Sequence, residues 1–203
     1  FGGAPRIGEL WQGGSRFLPR APDAVIVAEP TSLDVVVAHK GAVRWRCHAR
    51  GRAAHSSAPQ AGDNAIYRMA RVLGALERYA RDLAPSLGQH PLVGQPSLSV
   101  GLISGGVSVN TVPDRCTIEI DRRVLPGEDP RAAFQDVVEY VDREMKDDPQ
   151  VEHERPYLTS RGLSDELSRP LAARLSEIIR HRGASGRCLG VPYGTDAPAF
   201  AGA

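Results

Sequence analysis

Between positions 42 and 50 apolar and polar side chains alternate without a break. Val43, Trp45, Cys47 and Ala49 share one face of an extended chain, and Arg44, Arg46, His48 and Arg50 share the other, the period-two pattern of a half-buried strand. The pattern then changes. From about Gly62 the apolar residues Ile66, Met69, Leu73, Leu76, Ala80 and Leu83 recur at helical spacing, with Asp63 placed as N-cap, and this predicts an amphipathic helix that Pro85 and the Gly/Pro-rich stretch to Pro96 close. Alternation returns at 97–103, with Leu98, Val100 and Leu102 inward, and at 115–123, with Cys116, Ile118 and Ile120 inward. A second helix opens with Asp129 as N-cap and Pro130 at its first position, and turns Phe134, Val137, Val138, Val141 and Met145 to the core. A last strand is expected at 150–155. The order βαββαβ is the split, ferredoxin-like arrangement.

The flanks have a different texture. Residues 1–40 read as part of an α/β domain: a Gly-rich entry, a short helix over 7–17, a Pro-bounded turn, and the run Ala24-Val25-Ile26-Val27-Ala28, whose continuous apolarity predicts a strand buried on both faces. Glu29-Pro30-Thr31 follows at its carboxyl end, where open α/β sheets place their ligands. Residues 157–203 return to α/β character: a polar hinge over 157–164, a helix over 165–182 carrying Leu167, Leu171, Leu175, Ile178 and Ile179, and a strand over 187–191 that leads into Pro192-Tyr193-Gly194-Thr195-Asp196-Ala197. The fold class is therefore α/β, with a βαββαβ unit at 41–156 inserted between two pieces of another domain, 1–40 and 157–203. One face of the inserted sheet carries Arg44, Arg46, His48, Arg50, Glu119 and Arg123, and would favour an anion if it lined a cleft.

Composition narrows the function classes. With 203 residues, 41% of them hydrophobic and 24% charged, the chain can bury a core. Lysine and arginine total 25 against 24 acidic residues, so charge points to neither nucleic acid nor an anionic membrane as partner. The apolar runs are far too short to span a bilayer. Cys47, Cys116 and Cys188 are widely spaced and odd in number, which fits small apolar residues in a reducing cytoplasm and argues against a zinc ribbon or a disulfide scaffold. The chain begins at Phe1 and not at Met, and is expected to be a piece of something larger.

Chemistry concentrates at Gly51-Arg52-Ala53-Ala54-His55-Ser56-Ser57. This stretch joins the first strand to the first helix, so His55 is held between two packed elements. In order along the chain stand Glu29-Pro30-Thr31, Lys40-Gly41, Gly51 with His55-Ser56, Gly62 with Asn64-Ala65, Gly105-Gly106 with Asn110 and Pro113, Asp121 with Arg123 and Pro126-Gly127, and Gly194-Thr195-Asp196-Ala197. In that order and spacing the chain resembles, over nearly its whole length, the zinc-dependent amidohydrolases and exopeptidases that include acetylornithine deacetylase, succinyl-diaminopimelate desuccinylase, aminoacylase and carboxypeptidase G. The resemblance implies a small lid or dimerisation domain inserted into a zinc-peptidase-like catalytic domain, a homodimer through the lid, and hydrolysis of an amide bond in an N-acyl amino acid or small peptide.

It also implies roles. Glu29 would be a ligand to one of two zinc ions, with cobalt or manganese as alternatives. His55 would donate to the developing oxyanion, from the partner subunit in relatives. Asn110 would bind substrate near that oxyanion, Arg123 would pair with a substrate carboxylate, and Gly194 and Thr195 would line the pocket. The family's His-x-Asp motif, bridging Asp and Glu-Glu pair would precede Phe1 and its last His would follow Ala203, so the chain alone is expected to be inactive. A dipeptidase or carboxypeptidase of the same family is an alternative reading. A non-catalytic ferredoxin-like binding module is another, against which the flanking motifs at Glu29 and Gly194-Thr195-Asp196 weigh.

Overall fold

A computed structural model describes residues 23–200, apart from residue 167 and the side chains of 83–85. The helix expected over 7–17 and Leu167 lie outside the described residues.

The inserted unit is ferredoxin-like. Strand β2 (Gly41–Arg50) runs into helix α1 (Ala65–Ser86), then β4 (Ser97–Gly105), β6 (Arg115–Val124), helix α2 (Pro130–Met145) and β7 (Val151–His153). The sheet order is β4-β6-β2-β7, with every pairing antiparallel. Strand β8 (Leu158–Ser160) pairs with Ala42–Arg44 of β2 beside β7, so the sheet continues into the stretch expected to be a polar hinge. Both helices cover one face. Val43, Trp45, Cys47, Ile118 and Ile120 of the sheet pack there against Met69, Val72 and Leu76 of α1 and Val137 and Val141 of α2. Trp45 meets Phe134 edge-on at 5.2 Å, worth about 1 kcal/mol beyond area burial. Cys47 and Cys116 are buried, free thiols, and burial pushes the Cys47 thiol up to about 12.

Three local expectations are corrected. The N-cap of α1 is Asn64, whose Oδ1 accepts from the backbone N–H groups of Ile66 and Tyr67; Asp63 instead exchanges two backbone bonds with Arg52 and pairs with Arg68. The buried face of α1 follows Ala65, Met69, Val72, Leu76 and Tyr79, which leaves Ile66 exposed. In β4 the register shifts between Val100 and Leu102. This bulge turns Leu102 outward to 63% exposure, with Ile103 beside it.

The charged face of the sheet neutralises itself. Arg44 donates to Asp121, Arg46 to Glu119, and Arg50 to Glu152, while His48 lies buried between Thr117 and Glu154. Most of the face expected to attract an anion is thus a ladder of cross-strand ion pairs.

Outside this unit, β1 (Val35–His39) pairs in parallel with β9 (Cys188–Val191), under helix α3 (Arg169–His181). Asp34 ties the two strands together: Arg187 and Ser185 both donate to it, and they hold its carboxyl down to about 2. The strand expected over 24–28 does not form; most of the run is exposed. A strand needs a paired neighbour, and none of the described strands pairs with it. The two chain crossings between this layer and the five-stranded sheet pair with each other, as His39 and Leu163 exchange both backbone bonds. Gly41 is required here, since a Cβ would lie 2.3 Å from the Ser160 carbonyl oxygen.

Candidate functional site

Apart from Glu29, the expected site residues fall into two groups at opposite ends of the five-stranded sheet. The first follows β2. Gly51 donates its N–H to the Asp114 carbonyl, and a Cβ on it would lie 2.1 Å from the Asp63 carbonyl oxygen. The tight turn this permits sends the chain into β3 (Ala54–His55), which pairs with β5 (Thr111–Val112), placing His55 opposite Thr111. Ser56 donates its N–H to the Asn110 carbonyl, so His55 and Asn110 stand side by side.

The ring of His55 is oriented. Its Nδ1 accepts from the Ser57 N–H at 3.2 Å and lies 2.7 Å from the Ser57 hydroxyl. A nitrogen that accepts an amide proton cannot carry one in the neutral ring, so the proton sits on Nε2. His55 therefore presents an exposed N–H donor. The Asn110 Oδ1 is taken by the Ser108 hydroxyl, which leaves the amide group to donate. Two polar donors thus stand beside the loop of Val107 and Val109, whose side chains are fully or nearly fully exposed.

The second group lies at the far end of β6. Arg123 sits opposite Ala42 on one side and Ser97 on the other. Its guanidinium grips Asp121, with Nε 2.8 Å from Oδ1 and Nη2 donating to Oδ2 at 3.1 Å, and Asp121 also receives Arg44 at 2.8 Å. Lys40 stands close by. Its ammonium donates to the Gln95 carbonyl, and burial first, then the charges of Arg123 and Arg122, pull its pKa down. Buried Arg122 is matched by Glu128, whereas Arg44 and Arg123 share one carboxylate, Asp121, and the Lys40 ammonium meets a carbonyl and no carboxylate among the contacts described. This end of the sheet carries surplus positive charge. Gly194 passes the Lys40 carbonyl, where an added Cβ would lie at 3.7 Å, and Thr195 bonds the ring of His39.

Arg123 and Arg115 are eight steps apart on β6, and their partners on β2 are Ala42 and Arg50; at the usual rise per residue the two groups are about 26 Å apart. The structure brings His55 to Asn110, and Gly194-Thr195 to His39-Lys40 near the Arg123 end of the sheet, but not the first pair to the second group. Glu29 is exposed, with its carbonyl accepting from the Thr31 N–H. Among the described residues no three His, Cys, Asp or Glu side chains converge as metal ligands. Zinc usually takes three from the protein, so these residues do not by themselves form a metal site. Sequence reasoning passed over His39 altogether, although a histidine closing the apolar run Val35–Ala38 was a signal to follow.

No helix among the described residues is long and apolar enough to cross a membrane. Residues 37–149 match the family of the peptidase dimerisation domain. Acetylornithine deacetylase of Myxococcus xanthus is 32% identical over 180 residues, 85% of this chain and 45% of the relative. A probable carboxypeptidase of Aspergillus flavus is 35% identical over 128 residues, 61% of this chain and 30% of the relative. The crystal structure of aminopeptidase PepT from Bacillus cereus superposes with a TM-score of 0.63 at 21% identity, over 87% of this chain and 45% of that one, a likeness of fold. The chain thus spans less than half the length of these relatives. It belongs to the metallopeptidase and aminoacylase family that includes acetylornithine deacetylase, and it carries that family's peptidase dimerisation domain.

Proposed function

We propose that the chain is the dimerising and substrate-gripping part of a di-zinc amidohydrolase that works as a homodimer in the cytoplasm and cleaves an amide bond in an N-acyl amino acid or small peptide. Residues 41–156 form the lid domain, and 1–40 and 157–203 belong to the catalytic domain. Glu29 would be one ligand to the metal, which would supply polarisation of the scissile carbonyl. Arg123 and the cationic end of the sheet hold a substrate carboxylate, with Gly194 and Thr195 lining the pocket. His55, through Nε2–H, and Asn110, through its amide, donate to the oxyanion as it develops.

The observation that carries this reading is the distance between the two groups. Separated by about 26 Å along the sheet, they cannot serve one substrate within one subunit. A two-fold axis resolves this. Ser97 at the start of β4 lies beside Arg123, and Gly105 at its end lies beside Cys116. β4 is also an outer strand of the sheet, with Leu102 and Ile103 exposed. Antiparallel pairing of β4 with its copy sets the partner's Gly105 beside Ser97, and so brings the partner's His55 end to this subunit's Arg123 end.

The test is complementation in the full-length enzyme. Subunits carrying His55→Ala and subunits carrying Glu29→Ala, each inactive alone, are mixed under conditions of subunit exchange. In a hybrid dimer one site keeps its metal ligands and borrows an intact histidine. Activity should return to about a quarter of wild type for random mixing. Demonstrated exchange without recovered activity overturns the shared site.

A further inference from the structure

His39 ends β1 at the crossing into the five-stranded sheet, and it is fully buried. Its ring is fixed at both nitrogens. Nδ1 lies 2.9 Å from the Lys40 carbonyl oxygen, Nε2 lies 3.2 Å from the Thr195 backbone nitrogen, and Nε2 also lies 3.0 Å from the Thr195 hydroxyl. Only one protonation state satisfies all three. A carbonyl can only accept, so Nδ1 carries the proton; a backbone N–H can only donate, so Nε2 carries none. The Thr195 hydroxyl therefore turns its proton toward the ring, and its oxygen accepts from the Ala197 N–H at 3.2 Å.

We propose that His39 is a positioning residue of the substrate pocket: its neutral, Nδ1-protonated ring anchors Thr195 by backbone and side chain, and so fixes the loop from Gly194 to Ala197 against the Arg123 end of the sheet. Burial disfavours the charged ring and draws the His39 pKa down, which keeps the anchor in place through neutral pH. Placement at the crossing gives the anchor reach. His39 also exchanges both backbone bonds with Leu163, so one residue joins the two strands between the layers to the pocket loop. The inference rests on the reading of Thr195 as a pocket residue, and the experiment separates the two.

In the full-length, metal-loaded enzyme, kcat and KM are measured for His39→Leu, His39→Gln, Thr195→Ala and the His39→Leu/Thr195→Ala double variant. Loss of one hydrogen-bonded anchor should raise KM about five- to tenfold with kcat little changed. The double variant should lose less than the sum of the singles, because the hydroxyl contact that Thr195→Ala removes is also removed by His39→Leu, while the Thr195 N–H contact depends on His39 alone. His39→Gln, whose amide oxygen can accept from Thr195, should recover most of the loss; a merely structural role would move thermal stability without this KM-specific rescue. Ring nitrogen spectra of histidine-labelled enzyme should show the His39 Nε2 unprotonated from about pH 8 to below the ordinary imidazole midpoint of about 6.5. If Thr195→Ala impairs the enzyme while both His39 variants keep wild-type KM, or if the two losses add, the anchor is refuted and the pocket reading stands. If Thr195→Ala is silent, the pocket reading falls and this proposal falls with it. A His39 ring that titrates like a solvent-exposed one overturns the proposal without reference to activity.

Discussion

At the scale of single residues, His55 is defined by the tautomer its neighbour imposes. A donor that strengthens only as charge builds on the oxyanion acts on the chemical step, because catalysis is differential binding. His55→Ala in the full-length enzyme should lower kcat about a hundred- to a thousandfold and leave KM and metal content nearly unchanged; lost metal would mark it instead as a ligand. Arg123 presents a different question, since its fork is already engaged with Asp121. Lysine keeps the charge but loses the bidentate geometry. If a substrate carboxylate competes for the guanidinium, Arg123→Lys should impair hydrolysis of carboxylate-bearing substrates and leave those without one almost untouched. Equal losses on both, with a lower melting temperature, would assign Arg123 to holding Asp121 alone.

At the scale of elements, β7 contributes a pH-sensitive contact. The Nδ1 of His153 accepts from the Trp45 indole N–H at 2.9 Å, and burial, with His48 nearby, holds its pKa down to about 4 from 6.5. The folded state thus refuses a proton that the unfolded chain takes up below pH 6.5. Stability is complete above that value, and falls as pH drops from 6.5 toward about 4, by up to about 3 kcal/mol. Urea midpoints measured across this window should decline for wild type and flatten for His153→Gln, whose amide accepts from Trp45 without titrating. An unchanged slope in the variant would move the effect to another group. This strand and β9 were legible from the sequence only in outline, and β1, β3, β5 and β8 were not legible at all. The alternation in β2 and β6 and the Asp129-Pro130 start of α2 predicted their elements closely, because period and capping are local. The Leu102 orientation was not legible, since a bulge changes the phase of a strand without changing its composition. The buried face of α1 was misplaced by one position for a tertiary reason: residues 65, 69 and 72 meet the sheet, and Ile66 does not. Likewise β1 and β8 are too short to stand out, and each exists through its partner, β9 or β2.

At the scale of the whole molecule, the motifs of the candidate site were legible one by one, while their division between two ends of a sheet was not. Linear order places Asn110 and Arg123 only thirteen positions apart, yet β6 carries the chain from one end of the sheet to the other between them. On the proposed reading, that division makes assembly a condition of activity. An antiparallel pairing that sets Gly105 beside the partner's Ser97 centres on Gly101, so Leu102 of each copy comes close to the axis. Leu102→Lys would then oppose two ammonium groups on a shared edge, a device that keeps natural edge strands apart. Leu102 is exposed in the single chain, so the substitution should leave the fold and its melting temperature nearly unchanged. Sedimentation of the full-length variant should give monomers at concentrations where wild type is dimeric, with metal content retained and activity lost in parallel, and raising the protein concentration should restore both together. A monomeric Leu102→Lys enzyme with full activity would mean that His55 serves its own subunit, and a variant that stays dimeric would place the two-fold axis away from β4.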